Sequence, residues 1–260
     1  MKTVILCGGM GTRLREETEF KPKPMVNIGG YPIIWHIMKI YAHYGHKEFV
    51  LPLGYKGEMI KEYFIGFDWR NKDFSLDLAT RDVKLHANGG ITDWLIHFVE
   101  TGVESMTMSR LFQVKHLLLE DEDNDDYFML TYGDGVADID LDALLEFHKE
   151  KGKMITLTGI NPPGRWGIIE VDANHIITDF AEKPQSTEFV NGGFMIMNKE
   201  IFKYVDQNNL MIEVDLLPRM AKMGQVALYH HQGFWQAMDT YRDFTKLNEI
   251  WETEHPWKKW

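Results

Sequence analysis

Short apolar segments alternate with segments of helical periodicity along the chain. Residues 3–7, 48–53, 127–132 and 154–160 are clear apolar segments, each short and rich in β-branched or aromatic side chains. Such segments are typical of strands, and the continuous run at 127–132 is typical of a buried central strand. Because helical segments separate them, the pattern predicts an α/β fold with a Rossmann-like mixed, mostly parallel central sheet flanked by helices.

Several predicted helices have recognisable ends. Apolar residues recur at helical spacing after Pro32 until Gly45, which predicts a helix between these two residues. Asp140 is a good N-cap for a helix over residues 141–151. We also expect strands at 74–81 and 94–101 and a helix from about 109 to 120.

The second half of the chain is richer in strand patterns. These lie at residues 167–171, 175–181 and 193–197, and helices are expected near 199–205, 212–223 and 240–251. The sequence contains no internal repeat, low-complexity tract or obvious linker. We therefore expect a single domain over residues 1–260, with a small β-rich elaboration added to the sheet.

The chain is acidic, and this narrows the classes of ligand. Its 260 residues include 28 Lys and Arg against 39 Asp and Glu, a formal net charge of −11. Such a field repels phosphate backbones, so we expect no nucleic-acid partner, and any phosphate ligand must meet a local basic cluster. The single cysteine, Cys7, permits no intramolecular disulfide. Since no apolar segment is long enough to span a membrane, we predict a cytoplasmic protein without a membrane partner.

A glycine-rich turn follows the first strand directly. It reads Gly8-Gly9-Met10-Gly11-Thr12-Arg13-Leu14, and its glycines allow backbone N–H groups to approach a phosphate or base closely. The Gly-Lys-Ser/Thr ending of a Walker loop is absent, and Leu14 stands where a dinucleotide fingerprint needs its third glycine. A tight exit from the strand, with no ligand, stays open as the simpler explanation of these glycines.

Basic residues are concentrated next to this turn. Arg13, Arg15, Lys21 and Lys23 lie within a short stretch of an otherwise acidic chain. Prolines flank Lys23 on both sides and restrict the local backbone. A lysine held in place in this way stabilises a charged transition state without reorganising. A solvated lysine loop is the alternative.

The motifs together resemble those of the sugar-1-phosphate nucleotidylyltransferases. Besides the glycine-rich turn, the matching segments are Lys21-Pro22-Lys23-Pro24-Met25, Tyr132-Gly133-Asp134-Gly135, Glu182-Lys183-Pro184, Asn191-Gly192-Gly193-Phe194 and Phe234-Trp235-Gln236-Ala237-Met238-Asp239-Thr240. The resemblance runs nearly end to end and is nearest to the branch that uses CTP and glucose 1-phosphate.

The resemblance implies a fold, a reaction and an assembly. The fold would be that of nucleotide-diphospho-sugar transferases, with residues 1–150 mainly binding the nucleotide and 151–260 mainly forming the sugar-phosphate half and the C-terminal helix. The reaction would be a direct, Mg²⁺-dependent displacement giving CDP-glucose and pyrophosphate. A phosphate nucleophile is already largely dianionic at neutral pH, so no protein base is needed. The protein would be a homo-oligomer.

The resemblance also implies roles for individual residues. Arg13, Lys23 and Lys183 would be catalytic, and Asp134 and Asp239 would hold the metal. The nucleotide would contact Leu6, Gly8, Gly9, Met10, Gly11, Thr12, Arg13, Lys23, Ser105, Arg110 and Gly133. The sugar phosphate would contact Gly167, Glu182, Lys183, Asn191, Gly192 and Gly193.

Base choice is the point at which the chain departs from the family pattern. The segment 101–110 corresponds to the base-reading loop, but Met108-Ser109 stands where relatives carry two glycines. We expect the two added side chains to alter the base pocket, so another base or another sugar phosphate stays an alternative.

Alternatives to the metal site and to the reaction class are also open. Asp134-Gly135 could be a hairpin turn, and Asp239 could be only the N-cap of the last helix. Asp138-Ile139-Asp140 resembles the metal motif of nucleotide-sugar glycosyltransferases, although helix capping explains it. The basic cluster around Lys23 favours a triphosphate ligand over a diphosphate sugar. Besides a nucleotidylyltransferase and a glycosyltransferase, a third possible class of protein is a catalytically silent binding homologue.

Overall fold

The computed structural model describes residues 1–86, 93–120, 125–162, 167–182, 186 and 188–260. The strands in these residues are β1 (Thr3–Leu6), β2 (Asn27–Ile28), β3 (Tyr31–Pro32), β4 (Glu48–Leu53), β5 (Phe74–Leu76), β6 (Val83–Leu85), β7 (Leu95–Glu100), β8 (Tyr127–Tyr132), β9 (Gly135–Ala137), β10 (Ile155–Ile160), β11 (Ile168–Val171), β12 (Ile177–Ala181), β13 (Val190–Asn191), β14 (Met195–Asn198), β15 (Val226–His230) and β16 (Trp235–Ala237).

Helices cover much of the remaining chain. The α-helices are α1 (Arg15–Thr18), α2 (Ile33–His43), α3 (Gly57–Ile65), α4 (Phe67–Asn71), α5 (Thr107–Gln113), α6 (Lys115–Leu119), α7 (Leu141–Lys151), α8 (Leu217–Lys222) and α9 (Tyr241–Thr253). Short 3₁₀ helices cover Thr12–Leu14, Lys23–Met25 and Lys199–Lys203. A π-helix over Ile212–Leu216 runs directly into α8.

Eight of the described strands form a mixed, mostly parallel central sheet, as the sequence predicts. Its order is β7, β4, β1, β8, β14, β10 and β15, with β13 paired to β10 on the same side as β14. Strand β14 runs antiparallel to both of its neighbours, whereas β1, β4, β7 and β8 are parallel. The carboxyl ends of these four parallel strands therefore meet at one edge, where open α/β sheets place their ligands.

Both faces of the sheet are covered by apolar layers. Alternate residues of β1 point to opposite faces, so Ile5 packs with α2 and the last helix while Val4 packs with α5 and α8. The C-terminal tail belongs to the first layer. Trp257 is fully buried there, and its indole N–H donates to Nδ1 of His36 at 3.3 Å. The tail is thus part of the core of the fold.

Two element predictions need correction. The strand expected at 74–81 ends at Leu76, because Asp77 accepts hydrogen bonds from the N–H groups of Ala79 and Thr80 and closes a turn. The helix expected at 109–120 begins at Thr107 and is interrupted at Val114. None of the described helices has the length and apolar character needed to cross a membrane.

Candidate active site

The glycine-rich turn lines a cavity at the carboxyl edge of the sheet. The cavity has a volume of about 250 Å³ and is lined by Leu6, Cys7, Gly9, Gly11, Thr12, Arg13, Lys23, Pro24, Gly133 and Asp134. Gly11 adopts a left-handed conformation with φ 63°, which glycine tolerates without strain. A side chain there would also press on Thr18 and Lys23. The turn therefore packs tightly against the lysine segment and keeps one side open to the cavity.

Lys23 joins two carboxylates that are far apart in the sequence. Its Nζ atom lies 2.6 Å from Oδ2 of Asp134 and 2.7 Å from Oδ1 of Asp239. Arg13 reaches the same group of side chains, with its Nη1 3.0 Å from the other oxygen of Asp239. Four of the predicted site residues thus meet at the cavity. By contrast, Lys21 pairs with Glu17 within its own turn.

The environment of Lys23 fixes its charge. The residue is only 9% exposed, and burial by itself would lower its pKa. The charges and hydrogen bonds of Asp134 and Asp239 act in the opposite direction and raise the pKa of Lys23 above its ordinary value. Lys23 is therefore a permanently charged, positioned cation rather than a solvated surface lysine.

The structure does not show the alternative roles of the two aspartates, a hairpin turn at Asp134 and a helix N-cap at Asp239. Thr240, not Asp239, is the N-cap of α9, and it forms a capping box with Asp243. The carboxylate of Asp239 does not cap the helix and instead contacts Lys23. Asp134-Gly135 is not a hairpin turn, because β9 pairs with β16 rather than with β8. This pairing places β16, and with it Asp239, beside the end of β8.

The two carboxylates have the chemistry and spacing of a divalent-metal site. One oxygen of each lies within 2.7 Å of the same nitrogen atom, so the two oxygens are separated by no more than twice that distance. Mg²⁺ favours one or two carboxylates together with phosphate and water oxygens. The described residues hold no cluster of three or more His, Cys, Asp or Glu ligands. Asp134 and Asp239 fit an ion whose remaining ligands come from a substrate.

Arg110 is buried behind the glycine-rich turn. Its guanidinium donates to the carbonyl groups of Leu53, Gly8 and Val103 and to the hydroxyl of Thr101, and so joins the ends of β1, β4 and β7. A Cβ atom at Gly54 would lie 2.7 Å from this guanidinium. Burial lowers the pKa of Arg110, yet arginine stays charged in proteins. Its contact with a base stays a prediction.

Met108 and Ser109 do not belong to an open loop. Both lie in the first turn of α5 and are buried, Met108 in the apolar layer and Ser109 at 3.3 Å from the amide of Gln113. Gln113 also donates to Ser105. Met108 therefore packs away from the loop that carries Ser105, whereas Ser109 is joined to Ser105 through Gln113. The effect of these two side chains on the base pocket stays a prediction.

The predicted sugar-phosphate residues that the structure describes lie on two segments. A Cβ atom at Gly167 would approach Oε2 of Glu182 to 3.1 Å, so these two residues are adjacent. Asn191 donates from Nδ2 to the hydroxyl of Tyr132 at 3.1 Å and accepts the N–H of Gly193. Because β14 runs antiparallel to β8, the segment 191–194 lies at the same sheet edge as Gly133. Lys183 lies outside the described residues.

At this edge Trp235 and Tyr132 belong to the matching motifs, whereas Glu213 carries no motif signal in the sequence. Trp235 donates its indole N–H to the carbonyl of Gly192 at 2.7 Å. Glu213 accepts hydrogen bonds from Tyr132 and from Thr107. An isolated acid in a helical pattern predicts only a solvated face, so Glu213 could not be selected from spacing.

The Asp138-Ile139-Asp140 segment has structural roles. Asp140 caps α7 by accepting the N–H of Ala143 at 2.9 Å, as the sequence predicts. Asp138 lies 3.0 Å from Nε2 of His231. Neither residue lines the cavity, and the resemblance to a glycosyltransferase metal motif is therefore limited to the sequence.

The fold and the site define a nucleotide-binding α/β enzyme with a cationic, carboxylate-bearing cavity. The family model for nucleotidyl transferases matches residues 2–254. The chain belongs to this family, and the resemblance inferred from its motifs is confirmed.

The chain is similar to individual proteins of this family in sequence and to a solved structure in fold. The chain is 44% identical to the glucose-1-phosphate cytidylyltransferases of Salmonella typhi and Salmonella typhimurium, over 262 aligned residues that cover the whole of both chains. In fold it is similar to the crystal structure of HddC from Yersinia pseudotuberculosis, with a TM-score of 0.69 and 21% identity over 96% of this chain and 99% of that one.

Proposed function

We propose that this protein transfers a cytidylyl group from CTP to α-D-glucose 1-phosphate and releases pyrophosphate. The chain is 44% identical over its full length to two glucose-1-phosphate cytidylyltransferases, which supports this choice of substrates. The convergence of Lys23, Arg13, Asp134 and Asp239 on one cavity supports the chemistry and is the observation that carries the proposal. Such a cluster neutralises and aligns two anionic reactants, which is what phosphoryl transfer requires.

The nucleotide would lie along the glycine-rich turn. Backbone N–H groups of residues 8–11 would face its phosphates, while Leu6 and Gly133 would form the floor beneath it. Ser105 and Arg110 would contact the base from the neighbouring strand ends. In this arrangement Lys23 and Arg13 would meet the charge that develops as pyrophosphate departs.

The sugar phosphate would approach from the opposite wall. Glu182 beside Gly167 would bind sugar hydroxyls, Asn191, Gly192 and Gly193 would contact the ring and its substituents, and Lys183 would meet the phosphate. The phosphate oxygen would attack the α-phosphorus of CTP directly, since it is already ionised and needs no protein base. The residues of this chain therefore bind, orient and neutralise, and none acts as a nucleophile.

Asp134 and Asp239 would hold Mg²⁺ when substrates are bound. The ion would supply charge neutralisation at the phosphate oxygens. In the described structure the ammonium of Lys23 lies between the same two carboxylates. With these carboxylates holding the ion, the ammonium of Lys23 would be available to the triphosphate oxygens.

The test is pyrophosphate release with glucose 1-phosphate and each of the four ribonucleoside triphosphates and dTTP, in the presence of Mg²⁺. We expect turnover with CTP to exceed turnover with the others. Equal or better turnover with another nucleotide would assign a different base. Turnover with none of them would contradict the proposed reaction.

We also propose that the protein is a cytoplasmic homo-oligomer. The β11–β12 hairpin exposes two apolar cross-strand pairs, Ile169 with Phe180 and Val171 with Ile177, each side chain by more than half of its surface. A second copy of the chain would cover this apolar surface. The buried, unpaired Cys7 suits a reducing compartment. Sedimentation at several protein concentrations tests the assembly, and a monomer at every concentration would contradict it.

A further inference from the structure

Glu213 lies between the two halves of the site without lining the cavity that the glycine-rich turn forms. It belongs to the π-helix Ile212–Leu216, a geometry that is rare and frequent at functional positions. Each of its carboxylate oxygens accepts a different hydroxyl group. Oε1 accepts the phenol of Tyr132, and Oε2 accepts the hydroxyl of Thr107 at 2.9 Å.

The two hydroxyls come from opposite sides of the site. Thr107 begins α5 at the end of the loop that carries Ser105, and it also accepts the N–H of Ile212 at 2.8 Å. Tyr132 ends β8 immediately before Gly133 and Asp134, and its hydroxyl accepts the side-chain amide of Asn191 at 3.1 Å. A continuous chain of hydrogen bonds therefore runs from the base-side loop through Glu213 to the sugar-side Asn191.

Because Tyr132 stays protonated, the donors and acceptors in this chain of hydrogen bonds keep a fixed order. Burial, together with the negative charge of Glu213, raises the pKa of Tyr132 above its ordinary value, so the phenol stays protonated and donates to the carboxylate. The same oxygen is then free to accept from Asn191. Asn191 in turn accepts the N–H of Gly193 at 2.9 Å, so the orientation of its side chain is set at both ends.

Resting on the proposed function, we infer that Glu213 is a positioning residue that couples nucleotide binding to sugar-phosphate binding. A nucleotide that contacts the 101–107 loop would hold Glu213 in place, and through Tyr132 it would hold Asn191 in the orientation that the structure shows. The sugar phosphate would then bind a site whose hydrogen bonds the nucleotide already stabilises. The coupling is reciprocal, so glucose 1-phosphate improves nucleotide binding by the same factor.

Replacement of Glu213 by glutamine isolates this role. Two hydroxyls donate to the carboxylate, and an amide offers only one acceptor oxygen. The Glu213→Gln protein keeps the size of the side chain but can satisfy only one of the two donors. Asp215→Asn is the matched control, because Asp215 lies in the same π-helix and pairs with Arg219, away from the cavity.

The experiment is calorimetric titration of the full-length protein with α,β-methylene-CTP in Mg²⁺, with and without saturating glucose 1-phosphate. For the unmodified protein and for Asp215→Asn we expect the sugar phosphate to lower Kd by about fivefold or more. For Glu213→Gln we expect the ratio of the two Kd values to fall to about one. A defect that is only structural would weaken both titrations equally and leave this ratio unchanged, and that result would overturn the inference.

Tyr132→Phe is a second variant in case Glu213→Gln folds poorly. It removes the phenol hydroxyl but leaves the bond between Thr107 and Glu213, so we expect the same loss of coupling. The double variant should lose no more than either single one, because both changes interrupt the same chain. Absence of coupling in the unmodified protein would overturn the inference alone, whereas failure to bind either ligand would overturn the proposed function and the inference with it.

Discussion

The ammonium nitrogen of Lys23 lies 2.6 Å from a carboxylate oxygen of Asp134, although 111 positions separate the two residues in the sequence. Two different structural causes produce this contact. Prolines on both sides hold the lysine in a short 3₁₀ turn, and Asp134 follows the central strand β8 at the edge where the parallel strands end. The same edge receives Asp239 from the β9–β16 pair.

Replacing Lys23 by methionine should lower kcat on the order of a hundredfold or more, because a positioned cation is removed from the reacting phosphates. We expect a smaller effect on nucleotide affinity than on kcat. Steady-state measurement of pyrophosphate release separates the two. A change confined to KM would contradict a role in the transfer step.

Lys21→Met is the matched control for this prediction. Lys21 lies two positions away and pairs with Glu17 in its own turn, so its charge is not directed at the cavity. Partly exposed pairs of this kind contribute little, and we expect activity within about twofold of the unmodified protein. An equal loss in both variants would indicate a general electrostatic effect of the basic segment.

Asp134→Asn should lower kcat on the order of a hundredfold or more while the fold stays intact, since an amide is a weaker ligand for Mg²⁺ than a carboxylate. Activity measured over a range of Mg²⁺ concentrations should show a higher requirement for the ion. Asp142→Asn, an exposed acid in the first turn of α7, is the control. Near-normal turnover in Asp134→Asn would remove Asp134 from the site.

The sequence predicts the parts of this site whose signals are local. The order of strands and helices follows from apolar periodicity, and the positioned Lys23 follows from its two prolines. Asp134 and Asp239 each allow two interpretations from local sequence. The residues beside Asp134 are also typical of a hairpin turn, and those beside Asp239 are also typical of a helix N-cap. Only the pairing of β9 with β16 and the capping of α9 by Thr240 distinguish them.

Other features have no local signal at all. Arg110 is predicted as a base contact, but its burial beneath Gly8 and Gly54 depends on three strands ending at the same level. Glu213 gains its importance from two hydroxyls that are 81 and 106 positions away. Such contacts depend on tertiary geometry, which the pattern of one segment does not contain.

Gly54→Ala should lower the free energy of unfolding by about 1–3 kcal/mol, the usual range for overpacking. The added Cβ would lie 2.5 Å from the carbonyl oxygen of Gly8 and 2.7 Å from the Arg110 guanidinium. Urea unfolding measures the change. Gly9→Ala is the control, since a Cβ there meets no atom within 4 Å, and equal stability of the two variants would show that the strand ends can separate freely.

Two buried histidines should make stability fall below neutral pH. Burial lowers the pKa of His36 and of His148 to about 4, from an ordinary value of 6.5. A hydrogen bond also favours the neutral form of His36, because its Nδ1 accepts the indole N–H of Trp257. For His148, which bonds through Nδ1 to the hydroxyl of Thr156 at 2.7 Å, burial is the main cause. Protonation would charge each ring in an apolar layer.

The sign and range of this effect follow from proton binding. Between the unfolded pKa of 6.5 and the folded pKa of about 4, the unfolded chain binds more protons than the folded protein, so stability decreases as pH falls through this range. Protonation of each histidine can lower the free energy of unfolding by on the order of 3 kcal/mol.

Urea unfolding at several pH values measures the slope of stability against pH. His148→Asn places an amide near Nδ1 and does not titrate, so the slope should decrease by about one proton, whereas His116→Asn, at an exposed position, should leave it unchanged. A slope that is identical in all three proteins would show that His148 is not a source of the acid sensitivity.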